Sequence, residues 1–161
     1  LIQSKGIDLA AFFILGFPTE TRREMEQTIA FALETLRLGR NFHLERFFNF
    51  TPYPGTELYL ELEKQGTRFP EKLEDWGAYH WDYSHMHAAN PETGDFLERA
   101  SMAGKFLDRQ KDPFIEFNWI LRTLFAMYRP VAWARLGSSW LWPMPELWLA
   151  KAFKKITERN K

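Results

Sequence analysis

Two short segments combine glycine, proline and small polar residues in a pattern typical of ligand-binding turns. Residues 16–20 read Gly-Phe-Pro-Thr-Glu and residues 51–56 read Thr-Pro-Tyr-Pro-Gly-Thr, and each follows an apolar run. Glycine permits a close backbone approach, proline stiffens a turn, and amides at a helix start bind polar groups of a ligand. Because ligands of parallel α/β sheets bind beyond the carboxyl ends of the strands, both segments are candidates for a binding site.

The residues around the first segment predict a strand followed by a helix. Residues 8–15 are a continuous apolar run, which suits a parallel strand that is buried on both faces. Thr21 and Glu24 have the spacing of a capping box. Apolar residues then recur at helical spacing until Gly39, which predicts that the helix ends there.

The second segment follows another predicted strand. Residues 44–51 alternate, and we expect one face of this strand to carry Leu44, Phe48 and Phe50. Strand, helix and strand in about forty residues make a βαβ unit, whose crossover is right-handed in nearly all known cases. A short helix starting after Thr56 completes an α/β region over residues 1–66.

The rest of the chain, residues 67–161, is predicted to be mostly helical. Periodicity is absent from Thr67 to Gly94, and helical spacing resumes at Asp95. A second helix is predicted over residues 114–128, apolar almost all round and therefore buried. Pro130 is expected to end it. A last helix is predicted over residues 145–157.

Composition restricts the classes of function. The 161 residues include no Cys, so this chain forms no disulfide and offers no thiolate to a metal. The formal net charge of zero gives no support for nucleic-acid binding. No apolar run approaches the ~18–20 residues of a membrane-spanning helix, and we predict a cytoplasmic protein. Aromatic residues make up 17% of the chain, which favours a large core, an apolar pocket or an interface.

The two segments, taken together, resemble the second half of a radical S-adenosylmethionine barrel. The similarity is to the cobalamin-binding branch, which includes magnesium-porphyrin ester oxidative cyclases and various methylases. That family has a strand ending in Gly-Phe-Pro-Gly-Glu-Thr, a helix with a Thr-Ile pair, and a strand ending in a Pro-x-Pro-Gly-Thr turn. The matching residues are Gly16, Phe17, Pro18, Glu20, Thr21, Thr28, Ile29, Pro52, Pro54, Gly55 and Thr56. Thr19 replaces the usual second glycine of the first motif.

The resemblance implies a fold and an activity. It implies that residues 1–66 are the last strands of a TIM-like barrel and that a helical region follows. In this family three Cys near the first barrel strand hold a [4Fe–4S] cluster that binds S-adenosylmethionine, and cobalamin, where used, sits in a separate N-terminal domain. The chain has none of those Cys, so it is expected to be an inactive fragment of an Fe–S oxidoreductase, methylase or cyclase that acts on a hydrophobic substrate.

The resemblance also implies roles for particular residues. The end of the first strand is expected to pack on the adenine of S-adenosylmethionine through Ile14, Gly16 and Phe17, by apolar contact and backbone hydrogen bonds. Glu20 is either a cap at the positive end of the helix or a ligand contact, and the cap is favoured. Tyr53, held between two prolines, is expected to contact the substrate or cobalamin, with surface packing as the alternative.

A cluster of aromatic and His residues follows the predicted barrel strands. His80 and His85 lie in this segment, which could fold over the open face of the barrel and contact the substrate. One alternative is that these His residues form hydrogen bonds that hold the loop together. The other alternative is that they form a metal site. Because the spacing matches no recognised metal site, we predict that the chain binds no metal of its own.

A second class of function remains open, that of a non-catalytic module with a βαβ core and a helical tail. Residues 140–161 combine Trp and Leu with several Lys, a composition that can lie at a membrane surface. The alternative for the C-terminal helix is packing on its neighbour with solvated Lys. Unpaired edges of a half barrel also lead us to expect that the isolated chain either self-associates or rearranges.

Overall fold

The structure is a computed structural model that describes residues 3–39, 41–78, 91–107 and 119–148 of the chain. In chain order the elements are a 3₁₀ turn Gln3–Lys5, β1 Leu9–Leu15, α1 Arg22–Arg37, β2 Phe42–Asn49, α2 Glu57–Lys64, a 3₁₀ turn Leu73–Ala78, α3 Pro91–Lys105 and α4 Trp119–Ser138. Residues 145–148 are also helical. The described residues are mixed α/β and mostly helical, and the barrel implied by the resemblance is not displayed by them.

Helix α1 begins at the capping box that its sequence predicts. The Thr21 hydroxyl accepts from the Glu24 N–H at 3.3 Å, and the Glu24 carboxylate accepts from the Thr21 N–H at 2.7 Å. These two bonds satisfy donors that a helix start would otherwise leave unpaired. The inward face of the helix consists of Met25, Ile29, Ala32, Leu33 and Leu36. The predicted helix is therefore confirmed, and its apolar stripe is the side that packs on the sheet.

The capping box makes stability depend on pH in the acid range. The backbone N–H of Thr21, and then its hydroxyl, lower the pKa of the Glu24 carboxyl below the usual 4.5. Because the pKa of Glu24 is lower in the folded state, its ionised carboxylate stabilises the fold above pH 4.5. This contribution is lost as the pH falls through the folded-state pKa. We expect Glu24→Gln to be less stable than the unmodified chain at neutral pH, with the difference disappearing in acid. Urea unfolding across this pH range measures it, and a pH-independent difference would contradict the expectation.

Strands β1 and β2 pair in parallel, so the predicted βαβ unit is confirmed. The register pairs Leu9 with Phe42 and Leu15 with Asn49, and it shifts between Ala11 and Phe12. One extra residue of β2, Glu45, lies at this shift and forms a β-bulge.

The bulge changes which side chains of β2 face the core. Beyond it, Phe47 is buried while Phe48 lies on the opposite, outer face together with Phe12. The predicted single face of Leu44, Phe48 and Phe50 is therefore wrong. The physical reason is that one inserted residue moves every later side chain to the other side of a strand.

Strand β1 is buried on one face only, unlike the prediction from its apolar run. Leu15 is fully buried, whereas Phe12 and Ile14 keep 62% and 49% of their surface exposed in the described part of the chain. The inner face of the sheet packs on α1 and α3. The outer face near the strand ends forms the wall of a pocket described below.

The inner face of the sheet, three helices and residues 141–147 share one hydrophobic core. Its buried members are Leu15, Met25, Ile29, Ala32, Leu33, Leu36, Leu44, Phe47, Phe96, Leu97, Ala100, Ala103, Leu107, Ala132, Leu136, Leu141, Met144 and Leu147. The cluster includes residues on both sides of residue 66. The division of the chain at that position stays a prediction.

Two predicted helix boundaries are wrong. Helix α3 begins at Pro91 and not at Asp95, which is typical of proline because its fixed φ and missing N–H suit the first turn. Helix α4 continues through Pro130 to Ser138. Pro130 and Ala126 are both exposed, so water can bond the Ala126 carbonyl that proline leaves without a helical donor.

Helix α4 also differs from prediction in its burial. Ala132 and Leu136 are buried, but several large apolar side chains on the helix are exposed.

Within the described ranges, no helix is both long and apolar enough to traverse a lipid bilayer.

Candidate functional site

The carboxyl ends of β1 and β2 lie side by side. The Phe50 N–H donates to the Leu15 carbonyl at 2.8 Å, which extends the ladder one residue beyond β2. The rings of Phe17 and Phe50 follow, with centroids 4.6 Å apart. The two segments that the sequence singled out are therefore neighbours in space, as parallel pairing requires.

An apolar pocket of about 720 Å³ lies at these strand ends, on the outer face of the sheet. The rings of Phe12 and Phe48, 5.7 Å apart, form part of its wall. The remaining lining residues are Ile14, Phe17, Asn49, Phe50, Thr51, Tyr53, Thr56, Glu57 and Leu58. Its volume and its aromatic walls with a few polar groups are typical of a small-molecule site.

The turn after β2 holds Tyr53 at the pocket. The Thr56 hydroxyl donates a hydrogen bond to the Tyr53 carbonyl at 2.8 Å, which closes the turn. The same hydroxyl accepts from the Tyr59 N–H at 3.3 Å and so caps the start of α2. Gly55 adopts a φ of +86°, a conformation that favours glycine. Tyr53 is exposed and lines the pocket, which suits a contact residue held by its backbone.

The turn after β1 is closed by Glu20. Its Oε2 accepts from the Gly16 N–H at 2.6 Å and from the Phe17 N–H at 3.2 Å. Glu20 therefore holds the two turn amides, while Thr21 and Glu24 cap the helix start. This differs from the expected cap at the helix terminus. It also means that these amides already have an acceptor, so the expected backbone hydrogen bonds from them to a ligand would require Glu20 to move.

Gly16 is needed for packing behind the pocket. It is buried with a φ of +82°, and a Cβ there would lie 2.6 Å from Cδ1 of Leu97 in α3. The close approach that the sequence suggested is therefore made by a core helix. Glycine is the residue that permits both this conformation and this contact.

The predicted site residues are partly brought together. Ile14, Phe17 and Tyr53 line the pocket, whereas Gly16 and Glu20 shape the turn that carries Phe17. His80 and His85 lie outside the described residues. The binding roles assigned to all of these residues stay predictions.

Sequence reasoning missed most of the aromatic wall. The sequence predicts that Phe12 lies in a strand buried on both faces and that Phe48 shares a face with Leu44, and its pattern predicts only a strand position for Phe50. The signal that was available is the alternation of Phe12 and Ile14 along β1, which places both on the side away from Leu15.

The site contains no cluster of metal ligands. In residues 3–39, 41–78, 91–107 and 119–148, no group of three or more His, Cys, Asp or Glu side chains could hold a metal ion. Together with the absence of Cys from the sequence, this means that the described site offers no ligands for a [4Fe–4S] cluster.

Comparisons with known proteins add one partial similarity. No family model and no solved structure matches the chain. A stretch of 54 residues, 34% of the chain, is 43% identical to an uncharacterized methyltransferase of Pyrococcus horikoshii, and it covers 11% of that protein. The chain thus spans about a tenth of the length of this relative. A third of the chain is therefore similar to part of a protein described as a methyltransferase.

Proposed function

We propose that this chain is part of an S-adenosylmethionine-dependent enzyme that transfers a methyl group to an apolar substrate. The observation that carries the proposal is the apolar pocket at the carboxyl ends of two adjacent parallel strands, lined by Phe17 of the first motif and by Ile14 of the strand before it. The partial similarity to a methyltransferase supports the type of reaction. The resemblance noted in the sequence supports a radical S-adenosylmethionine enzyme as the longer protein.

Each pocket residue has a role that its position supports. Ile14 and Phe17 offer an apolar surface for the flat face of adenine, and the Phe17 ring is braced by Phe50 at 4.6 Å. Glu20 fixes the backbone of Phe17 and so positions that ring. Tyr53 and the remaining aromatic wall would contact an apolar substrate beside the adenine. An aromatic wall also excludes water from the reacting groups.

S-adenosylmethionine, when bound, supplies the methyl group. The iron–sulfur cluster implied by the resemblance does not fit this chain, because no thiolate is present to hold it. In the radical form of the proposal, the longer protein supplies the ligands of the cluster. The use of cobalamin is implied by the sequence resemblance alone.

Ligand binding by the chain itself is the first test. We expect Ile14→Glu to weaken binding of S-adenosylmethionine about tenfold or more, because it removes apolar contact with the adenine face and places an ionised carboxylate that would lose hydration against that ring. Equilibrium dialysis with labelled S-adenosylmethionine measures the dissociation constant. The fold should persist, since Ile14 is 49% exposed.

Leu60→Glu is the matched control. Leu60 is 46% exposed, receives the same new charge, and does not line the pocket. Its variant should bind like the unmodified chain. Equal weakening by both variants, or no binding by the unmodified chain, would contradict the assignment of the pocket.

The reaction is tested in a longer protein that contains this chain. After anaerobic reconstitution with iron and sulfide, and with dithionite added as the electron donor, formation of 5′-deoxyadenosine from S-adenosylmethionine would support the radical form. Methylation of an apolar acceptor without 5′-deoxyadenosine would support methyl transfer and reject the radical form. Failure to consume S-adenosylmethionine in either way would reject the enzyme proposal.

A further inference from the structure

Two polar residues are buried at the end of β2, beside the apolar pocket. Among the described residues, the buried polar ones are Asn49, which is 5% exposed, and Thr51, which is 8% exposed. Both of them line the pocket. The buried polarity of the described chain is therefore concentrated at the proposed site.

Asn49 carries a side-chain amide to which the described protein offers no partner. Within the ranges that the structure describes, its nitrogen and oxygen form no hydrogen bond, and they are not among the polar atoms sealed from solvent without one. They therefore keep a small accessible surface in a residue that is otherwise enclosed. An enclosed amide without a hydrogen bond costs free energy, so proteins rarely retain one unless it bonds water or a ligand.

Asn49 borders the pocket because it ends the strand. Along β2, alternation places it on the side of the buried Phe47, which α1 and α3 cover. Past the last residue of a strand, however, the sheet no longer separates its two faces. Both Asn49 and Thr51 therefore line a pocket that lies mainly on the outer face.

The Thr51 hydroxyl leaves the Asn49 amide free for a ligand. Its Oγ1 points to the backbone carbonyl of Asn49, at 3.5 Å, and not to the side-chain amide. This distance is beyond the range of about 2.5–3.0 Å that is usual for hydroxyl donors, so the bond is weak. The turn therefore makes little internal use of the polar groups at this end of the pocket.

Asn49 lies next to the residues that we propose for adenine. The register of the sheet pairs it with Leu15, which directly follows Ile14 in the chain. Phe50, the residue after Asn49, has its ring 4.6 Å from that of Phe17. A flat ring held against Ile14 and Phe17 is therefore flanked by Asn49.

We propose that the side-chain amide of Asn49 binds the hydrogen-bonding edge of adenine and so makes the pocket selective for that base. Adenine presents an amino donor beside a ring-nitrogen acceptor, and a carboxamide offers the complementary acceptor and donor. The aromatic wall binds flat apolar rings in general, whereas Asn49 distinguishes them by their edges. This role of Asn49 rests on the proposed function, to which it adds the selection of the base.

Binding of two nucleosides to the full chain tests this role. Purine riboside has the ring nitrogens of adenosine but no 6-amino group, so it leaves the Asn49 side-chain oxygen without a donor in a filled pocket. We expect the unmodified chain to bind adenosine about tenfold or more tightly than purine riboside, because an unpaired buried polar group is costly. Equilibrium dialysis measures both dissociation constants.

Asn49→Leu replaces the amide by an apolar group of similar size. We expect this variant to bind the two nucleosides with nearly equal affinity, and Asn49→Ala, which cannot overpack the site, to lose the same preference. Urea unfolding of Asn49→Leu should require as much urea as that of the unmodified chain, because no hydrogen bond among the described residues is removed. A purely structural role would give the opposite result, a loss of stability with the nucleoside preference unchanged.

Asn41→Leu is the matched control. The Asn41 amide lies at the other end of the strands and donates to the Ile7 carbonyl at 2.6 Å. This variant should unfold at lower urea and keep the preference for adenosine.

The possible results separate this role from the proposed function. Equal binding of the two nucleosides by the unmodified chain would overturn the role of Asn49 alone, as would a preference that persists in Asn49→Leu and Asn49→Ala. Binding of neither nucleoside by the unmodified chain would reject the proposed function and the role of Asn49 together.

Discussion

Phe47→Ala is expected to destabilise the protein by about 3–5 kcal/mol, the cost typical of removing a fully buried aromatic ring. The Phe47 side chain is 1% exposed and lies in the core between the sheet and α3. Its ring is 6.2 Å from that of Phe13, and it approaches Gly104 so closely that a Cβ there would be 2.8 Å from Cδ2. Urea unfolding followed by circular dichroism measures the loss.

Phe48→Ala is the control for this prediction, because the same side chain is removed one residue later in the same strand. Phe48 lies on the outer face and lines the pocket, so we expect a loss of about 1 kcal/mol or less. The two variants together test the β-bulge at Glu45. Equal losses, or a larger loss for Phe48→Ala, would contradict the register that the structure shows.

Gly16→Ala is expected to destabilise the protein by about 2–4 kcal/mol. Part of this is the cost of an L-residue at a φ of +82°, about 1–2 kcal/mol. The rest is overpacking, because the new Cβ would lie 2.6 Å from Cδ1 of Leu97 in a filled core. Chemical unfolding measures the total.

Gly55→Ala separates the two contributions. Gly55 has a φ of +86°, and a Cβ there meets nothing within 4 Å, so only the backbone cost of about 1–2 kcal/mol applies. A double-mutant cycle of Gly16→Ala with Leu97→Ala then isolates the steric part, since shortening Leu97 removes the clash. Equal losses at Gly16 and Gly55 with no coupling to Leu97 would show that α3 does not contact the turn as described.

Glu20 connects the packing of the turn with the proposed site. It accepts from both turn amides, so the backbone that Gly16 allows is held in place by a carboxylate four residues later. The turn therefore presents the Phe17 ring to the pocket without a hydrogen bond from any ligand. In the proposed site, apolar contact with the Phe17 ring would therefore contribute more to ligand binding than hydrogen bonds from these two amides.

The local elements were predictable because their signals lie within a few neighbouring residues. The capping box of Thr21 and Glu24, the helical period after it, and the parallel pairing of the two strands all follow from spacing in the sequence. The meeting of the two strand ends follows as well, since parallel strands end on the same edge. These features depend on short-range hydrogen bonds and on chain connectivity.

The sequence by itself therefore determined the βαβ unit and the location of a candidate site beyond its strands. Only the tertiary structure decided which face of each strand is buried, because α1 and α3 cover one face of the sheet and the bulge at Glu45 moves the later side chains of β2 to the other face. It also decided that α4 continues through Pro130, since an exposed position tolerates the missing hydrogen bond. Burial and close approach are set by residues distant in the chain, which the local pattern of a sequence does not specify.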